Sequence, residues 1–315
     1  MALTGIAELD RKHASGGMLI LDGATGTEIE RRGFPMHDIA WSGGVMFERP
    51  ELVRTIHEDY IKAGADVVTA NSYSCCRHVL EPAGFGDKVE DANRLSIRLA
   101  KEARSRAAEG RPVAIAGSIS MFVADDADPY LNKRPDSRNW RSQESLYRCY
   151  REQAGILADE GADLLLLEMF QIPEWSLPAI EAALETRLPV WLGMSCGPRN
   201  AQGEVVMCNW PERPFRVSVD TLIRPELAAV CIMHSEVDDV LGGLELARAK
   251  WQGPLGAYAH SGGHVHPKWL FENIVTPARY VEFVVEWKAP TNISIVGGCC
   301  GLRPDHVQAL KDCFG

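Results

Sequence analysis

Eight short apolar runs recur along the chain, and most of them are followed by a segment with helical periodicity. The runs lie at residues 18–21, 66–70, 113–116, 164–167, 190–194, 228–230, 255–258 and 293–296, and predicted helices lie near 50–63, 87–109, 142–160, 174–186, 237–250 and 277–287. This alternation is typical of a (β/α)8 TIM barrel of the α/β class, whose functional residues gather at the C-terminal ends of the strands. A doubly wound open sheet is the alternative, but no Gly-x-Gly-x-x-Gly turn follows the first run. We expect one barrel domain across residues 1–315.

Composition excludes several classes of protein. The 315 residues are 46% hydrophobic and 24% charged, as in an ordinary globular protein. The net charge is −10 without a long basic run, so we expect neither nucleic acid nor an anionic membrane as a partner. Residues 1–17 lack the apolar stretch of a signal peptide, and no run reaches membrane-spanning length, which favours a cytoplasmic location. Nine irregularly spaced cysteines predict reduced thiols rather than a disulfide framework.

The last apolar run ends in Gly297-Gly298-Cys299-Cys300-Gly301. Adjacent cysteines can chelate a soft metal ion as thiolates, and the glycines leave room for a ligand to approach. Three protein ligands with one open position are typical of catalytic zinc, so we predict Zn²⁺ held by Cys299, Cys300 and a third residue. The alternative is that these cysteines are small buried apolar side chains.

Two other cysteines are candidates for the third ligand. Cys231 and Cys196 both follow apolar runs, so a barrel would bring either one to the mouth. The residue pattern alone leaves this choice open.

Polar residues end several other strands. Asp22, Asn71, Glu168 and His260 all occupy such positions and are predicted to converge on the mouth with the cysteines. Glu168 could bind a substrate ammonium, and backbone N–H groups around Asp22-Gly23 could bind its carboxylate. The alternative for Glu168 is a structural ion pair at the rim. A thiolate-rich zinc site activates a substrate thiol better than water, so the pattern indicates attack by the sulfur of an amino-acid thiol on a methyl group.

Nearly the whole chain resembles the homocysteine S-methyltransferases, zinc-dependent enzymes with a (β/α)8 barrel. The matching segments are LDGATGTEIERRG at 21–33, AWSGGVMFERPELV at 40–53, YIKAGADVVTANSY at 60–73, GADLLLLEMF at 161–170 and IVGGCCGLRPDHVQAL at 295–310. The resemblance implies that Cys231, Cys299 and Cys300 bind zinc, with the homocysteine sulfur in the open position. It also implies that Glu168 binds the homocysteine amino group, with Asp22 and Gly23 beside it.

Three segments depart from the family pattern. Val230 replaces the asparagine expected before the first zinc cysteine, His260-Ser261-Gly262-Gly263 replaces Asn-Ser-Gly-Glu, and Ser120-Met121-Phe122-Val123 replaces Gly-Pro-aromatic-Gly. These loops face the pocket in the family, so we expect a conserved acceptor side and a rebuilt donor side. His260 could contact the donor or be a structural histidine.

The methyl donor is expected to be a small onium compound, because the chain has no second domain for cobalamin or folate. S-methylmethionine, S-adenosylmethionine, a betaine and a dimethylsulfonio acid are the candidates. Trp41 could place its face against the onium methyl group, or it could pack on the barrel rim. The acidic segment with Asp125, Asp126 and Asp128 has the length and charge of a lid.

Three alternatives to this function remain. The chain could methylate a different thiol, it could bind zinc and a thiol without turnover, or Cys299-Cys300 could act in redox chemistry. Vicinal cysteines form a strained ring and lack the Cys-x-x-Cys spacing, which argues against the redox alternative. The oligomeric state is left open, and an oligomer is possible.

Overall fold

The computed structural model describes residues 5–121, 142–265 and 268–315. Phe122, Val123 and the acidic segment with Asp125, Asp126 and Asp128 fall outside these ranges, so the predictions made for them stay predictions.

Eight parallel strands form one barrel, as predicted from the sequence. In sheet order they are β1 (Leu19–Ile20), β12 (Ile295–Val296), β9 (Leu255–His260), β8 (Ala229–Glu236), β5 (Val190–Met194), β4 (Leu164–Phe170), β3 (Ala114–Ser120) and β2 (Val67–Thr69). A parallel bridge between Leu21 and Val67 joins β1 to β2 and closes the barrel. The C-terminal ends of all eight strands therefore surround one mouth.

Helices surround the barrel, and most of the long ones match the predicted positions to within a few residues. They are α1 (Gly5–Ala14), α2 (Thr25–Arg31), α3 (Val45–Glu48), α4 (Pro50–Lys62), α5 (Arg77–Leu80), α6 (Val89–Ala107), α7 (Gln143–Asp159), α8 (Pro173–Glu185), α9 (Phe215–Leu222), α10 (Val240–Lys250), α11 (Pro277–Thr291) and α12 (Pro304–Phe314). Local chemistry explains several starts: α4, α8, α11 and α12 begin at proline, and Ser142 caps α7 by accepting the Ser145 N–H. None of the helices in the described part of the chain combines the length and apolar character needed to cross a membrane.

Alternation along the strands divides the apolar side chains into two clusters. In β4, Leu164 and Leu166 face the barrel interior, whereas Leu165 and Leu167 pack against the surrounding helices. In β8, Cys231 and Met233 belong to the interior cluster, and Val230 and Ile232 to the outer one. The period of two in a β-strand produces this separation, and it determines which side chains can reach the mouth.

Two β-bulges interrupt the alternation near the mouth. In β4 the register against β5 shifts between Leu167 and Phe170, and in β8 the register against β9 shifts between Met233 and Glu236. Each bulge contains a residue with positive φ, Met169 at 62° and His234 at 43°. A β-bulge turns a side chain away from the face that alternation would give it.

Two antiparallel hairpins that the sequence did not predict project from the barrel. The first pairs β6 (Cys196–Arg199) with β7 (Val205–Met207), and the second pairs β10 (Gly263–Val265) with β11 (Lys268–Leu270). The second hairpin is attached beside the mouth, because both carboxylate oxygens of Glu30 on α2 accept the Trp269 N–H at 3.0 and 3.1 Å.

Candidate functional site

A cavity opens at the C-terminal mouth of the barrel and contains most of the predicted site residues. The predicted residues that line it are Asp22, Gly23, Trp41, Asn71, Glu168, Cys299 and Cys300. Cys231 and His260 are not in its lining. Of the seven residues expected to converge from the strand ends, five line the cavity, and Gly23 and Trp41 line it with them.

Asp22 is a buried carboxylate just after β1. It accepts hydrogen bonds from the Thr69 N–H at 2.7 Å and from the Thr69 hydroxyl at 2.8 Å. Burial raises the pKa of Asp22 to about 7, although the hydrogen bonds from Thr69 oppose this shift. A cation bound nearby would stabilise the charged form of this buried carboxylate.

Glu168 lies on β4 immediately before Met169 in the bulge and accepts a hydrogen bond from the Ser118 hydroxyl. Burial raises its pKa to about 7, against the lowering effect of the Ser118 and Tyr258 hydroxyls. No basic partner of Glu168 is found among the ion pairs of the described residues, so the rim ion pair considered from the sequence is not present there. The cavity lining in the described part of the chain contains no Lys or Arg. A substrate ammonium would supply the missing positive charge.

Only glycine fits at position 23, because there is no space for a Cβ atom. A Cβ atom at this position would come within 2.6 Å of the Tyr60 hydroxyl oxygen and within 2.8 Å of the Leu302 carbonyl oxygen. The turn after β1 can therefore approach the Cys299-Cys300 turn closely only with glycine, and the Gly298 N–H donates to the Asp22 carbonyl at 2.9 Å.

Trp41 forms part of an aromatic wall. Its backbone has a φ of 44°, its ring lies on the backbone of Gly26, where a Cβ would be 2.2 Å from Trp41 Cη2, and its centroid is 5.9 Å from that of Tyr73. The Tyr73 hydroxyl donates to Met169 Sδ at 2.7 Å. A left-handed conformation is unfavourable for a bulky residue, which indicates that the surroundings hold Trp41 in place.

Asn71 lines the cavity but uses its amide within the protein. Its Nδ2 donates to the Ser42 carbonyl at 3.1 Å, and its Oδ1 accepts from the Ser42 hydroxyl at 3.1 Å. The contacts of Asn71 therefore support the turn that carries Trp41, and a direct contact with substrate stays a prediction.

The vicinal cysteines are grouped with a histidine. One ligand atom from each of His234, Cys299 and Cys300 lies within 4.8 Å of the other two, and His234 Nδ1 is 3.5 Å from Cys299 Sγ. This is the one such group of three or more among the described residues. Two thiols and one imidazole facing a cavity match the ligands of a catalytic zinc site, in which a fourth position is left for substrate. The residues therefore fit the metal that the sequence predicts.

Cys231 is outside this group, so its role as a zinc ligand stays a prediction, but the expectation that it ends its strand is wrong. It does not end its strand but is the third residue of β8, which continues to Glu236. Its sulfur packs on β9, where a Cβ at Gly256 would be 2.8 Å from Cys231 Sγ, and Cys231 is not part of the metal-ligand group. The alternative, Cys196, is also outside that group, and its thiol contacts the Asp239 carbonyl oxygen at 3.6 Å.

The electrostatics of the cysteine pair are consistent with a cation at this place. The neighbouring Cys300 and burial both raise the pKa of Cys299 well above its usual range. Adjacent thiols therefore resist ionisation together unless positive charge is brought close to them.

His260 lies behind His234. Its Nε2 is 3.0 Å from Glu236 Oε1, and its ring centroid is 4.5 Å from that of His234. Contact with a donor, which the sequence left open, is not supported by the cavity lining.

The model of the homocysteine S-methyltransferase family matches residues 19–314. The chain belongs to this family. Among curated relatives, the homocysteine S-methyltransferase of Escherichia coli (strain K12) is 29% identical, covering 93% of this chain and 94% of the relative. The selenocysteine methyltransferase of Astragalus bisulcatus is 28% identical, covering 96% and 94%. A crystal structure of the metallated form of the homocysteine methyltransferase MmuM from Escherichia coli superimposes with a TM-score of 0.74 at 25% identity, covering 97% of this chain and 98% of that one. The family and barrel expected from the sequence motifs are thereby confirmed.

His234 is the candidate metal ligand that sequence reasoning missed. Strict alternation after Cys231 and Met233 places His234 on the helix side of the sheet, and the bulge that turns it inward has no clear sequence marker. The sequence does show that the apolar run continues past Cys231 and ends at His234. A single histidine at such a position can be either structural or functional, so this pattern alone does not identify a ligand.

Proposed function

We propose that the protein transfers a methyl group from a small onium donor to the thiolate of homocysteine, giving methionine, with Zn²⁺ bound by His234, Cys299 and Cys300. One observation carries this proposal: the metal-ligand group and the two buried carboxylates Asp22 and Glu168 line the same cavity. A thiol-binding position thus lies beside a cation-binding position, which matches the two ends of an amino-acid thiol.

The reaction needs one bond to form and one to break. A lone pair of the homocysteine sulfur forms the new bond to the methyl carbon. The electrons of the broken bond return to the onium heteroatom, which leaves as a neutral thioether or amine. The proton of the thiol leaves for solvent before this step.

His234, Cys299 and Cys300 would hold the metal ion. Bound there, it would lower the pKa of the homocysteine thiol, so that the thiolate would form near neutral pH. The roles of the protein side chains are to hold the metal ion and to fix the amino acid. Glu168 and Asp22 bind the ammonium, and their raised pKa values fall when the positive charge arrives.

The substrate carboxylate is assigned to the turn after β1. Its N–H groups lie beside Gly23, and the Thr25 hydroxyl in the cavity lining is buried with no hydrogen-bond partner among the described residues. A buried hydroxyl without a partner costs free energy, so a substrate carboxylate would satisfy it.

The donor is assigned to the wall formed by Trp41, Tyr73 and Met169. Aromatic faces attract the positive methyl groups of sulfonium and quaternary ammonium ions. This wall and the metal-ligand group border the same cavity, so a donor held there would lie beside the homocysteine sulfur.

The test is a donor screen. Zinc-replete protein is incubated under reducing conditions with homocysteine and each candidate onium compound, and methionine is measured by mass spectrometry, with Cys299→Ser as the inactive control. We expect methionine from at least one donor and none from the control. Absence of methionine with every donor, while zinc is present, would overturn the proposal.

Another acceptor is the second candidate, because a matched relative is named a selenocysteine methyltransferase. The same screen with selenocysteine in place of homocysteine tests it. A higher kcat/KM for the selenol would make homocysteine the secondary substrate.

We also propose a cytoplasmic location and a role in methionine biosynthesis. An oligomer is compatible with this function. Size-exclusion chromatography with light scattering would determine the oligomeric state.

A further inference from the structure

His234 has a strained backbone conformation. It lies in the β8 bulge with a φ of 43°, a conformation that costs free energy for a residue other than glycine. A thiolate ligand can rotate about one bond to meet a metal ion, but an imidazole must bring a planar ring into the correct orientation. A ligand of this kind usually depends on neighbouring groups that fix its ring.

Among the described residues, the rings of His260 and Trp269 pack against the His234 imidazole. The His260 centroid is 4.5 Å away with the planes inclined at 57°, and the Trp269 centroid is 6.0 Å away in an edge-to-face arrangement. Trp269 also contacts His260 at 5.5 Å and is anchored by its Nε1–H, which donates to the Ser261 carbonyl at 3.1 Å. The orientation of His234 is thus set mainly by His260, the nearer ring.

The His260 ring is fixed in turn by Glu236. The two residues are direct partners in the β8–β9 register, immediately after the bulge, and Glu236 Oε1 is 3.0 Å from His260 Nε2. A carboxylate on Nε2 keeps a proton on that nitrogen and holds the ring in its plane. The His260 side chain is 10% exposed and that of Glu236 is 53% exposed, so the carboxylate supports the buried ring from the rim of the barrel.

We propose that Glu236 and His260 are positioning residues that hold the His234 imidazole in the orientation needed to bind the metal ion, an inference that rests on the proposed His234 ligand. The bulge and this pair act together: the bulge turns His234 toward Cys299, and the pair prevents its ring from rotating away. Neither Glu236 nor His260 lines the cavity, which separates this role from contact with substrate.

The first experiment measures the affinity for zinc by competition with a chromophoric chelator, for the wild type, Glu236→Ala and His260→Ala. Asp238→Ala is the matched control, because it removes an exposed carboxylate two positions from Glu236 on the same rim. We expect the dissociation constant to rise about 10- to 100-fold in the two test variants, as for other outer partners of metal ligands, and to stay unchanged in the control. Glu236→Gln keeps an acceptor oxygen and should restore most of the affinity.

The second experiment repeats Glu236→Ala in a His234→Cys background. A cysteine at 234 has no ring to orient, so the additional substitution should not change zinc affinity there. Co²⁺ absorption spectra provide a second readout, because loss of the imidazole orientation should change the ligand-field bands in Glu236→Ala, while Asp238→Ala keeps the wild-type spectrum.

The outcomes separate the two proposals. If His234→Ala binds zinc as tightly as the wild type, the proposed ligand set is wrong. If His234→Ala loses zinc but Glu236→Ala and His260→Ala match Asp238→Ala, the ligand set stands and the positioning role is wrong. An equal loss of affinity from Glu236→Ala in the His234→Cys background would also overturn the positioning role, since it would indicate general damage to the rim.

Discussion

The bulges in β4 and β8 have the same form but place their functional residues differently. In β4, Glu168 continues the inward alternation of Leu164 and Leu166, and the residue turned inward by the bulge is the following Met169. In β8, alternation brings Cys231 and Met233 inward, and the residue grouped with the cysteines is His234 in the bulge itself. Sequence periodicity predicts which way a side chain points when it precedes a bulge. It does not predict the direction of a side chain within the bulge.

The difference also divides the chemistry of the mouth. The β4 side presents the Glu168 carboxylate with its raised pKa, and the aromatic wall of Trp41 and Tyr73 lines the same cavity; these groups suit the charged parts of the substrates. The β8 side presents an imidazole beside two thiols, which suits the metal ion. Substitutions on the two sides should therefore affect different measured quantities.

The largest effect is expected from Cys299→Ser. Loss of a thiolate ligand should lower zinc affinity by more than the roughly 10- to 100-fold typical of outer partners, and methyl transfer should fall with it. Zinc content after gel filtration, measured by mass spectrometry, checks this, with Cys313→Ser on the exposed end of α12 as the control. Unchanged zinc in Cys299→Ser would show that Cys299 is not a ligand of the metal ion.

Glu168 on β4 should make the stability of the protein depend on pH. The folded-state pKa of Glu168 is about 7 against 4.5 for the free group, so the folded state holds the proton more tightly between these values. The free energy of unfolding of the metal-free protein should therefore decrease as pH rises from about 4.5 to about 7, by on the order of 3 kcal/mol from this group at about 1.4 kcal/mol per pKa unit. Urea unfolding across this range should show a shallower slope in Glu168→Gln, and an identical slope would contradict the assigned burial.

Glu168→Gln should also weaken homocysteine binding. A hydrogen bond to a charged group contributes about 1.5–3 kcal/mol, which corresponds to a rise of about 10- to 100-fold in the KM for homocysteine. Zinc content should stay at the wild-type level, because Glu168 is on the other side of the mouth. An analogue of homocysteine without the amino group should bind equally to both proteins, and a preference of the wild type for it would contradict the ammonium assignment.

The smallest effect is expected from Trp41→Leu. A cation–π contact contributes about 1 kcal/mol, so the KM for the onium donor should rise about fivefold while the KM for homocysteine changes little. Steady-state kinetics with the donor found in the screen measures both constants. A larger change in the KM for homocysteine than in the KM for the donor would show that Trp41 contacts the acceptor instead.

The barrel and the carboxylate side could be predicted from sequence because periodicity determines them. Asp22 and Glu168 follow or continue apolar runs, and parallel strands bring such positions to one mouth whatever the details of packing. The glycine-framed Cys299-Cys300 pair was also recognisable, since two vicinal thiols between glycines have few structural explanations.

The third ligand and its support could not be predicted in the same way. Cys231 became a candidate because a strand was expected to end there, and the family resemblance then favoured it over Cys196. The apolar residues Ile232 and Met233 instead extend the strand to Glu236. The contact between His260 and His234 depends on the register of β8 against β9 after the bulge, which pairs Glu236 with His260. Register after an inserted residue is a tertiary property, so no local pattern reports it.

The most direct test of the account compares two single variants, His234→Ala and Cys231→Ala, for bound zinc per chain after identical purification. The account predicts that His234→Ala loses most of its zinc and that Cys231→Ala keeps the wild-type content, with the folded state of both checked by circular dichroism. The reverse result, with zinc lost from Cys231→Ala and kept by His234→Ala, would contradict the claim that the bulge in β8 supplies the third ligand.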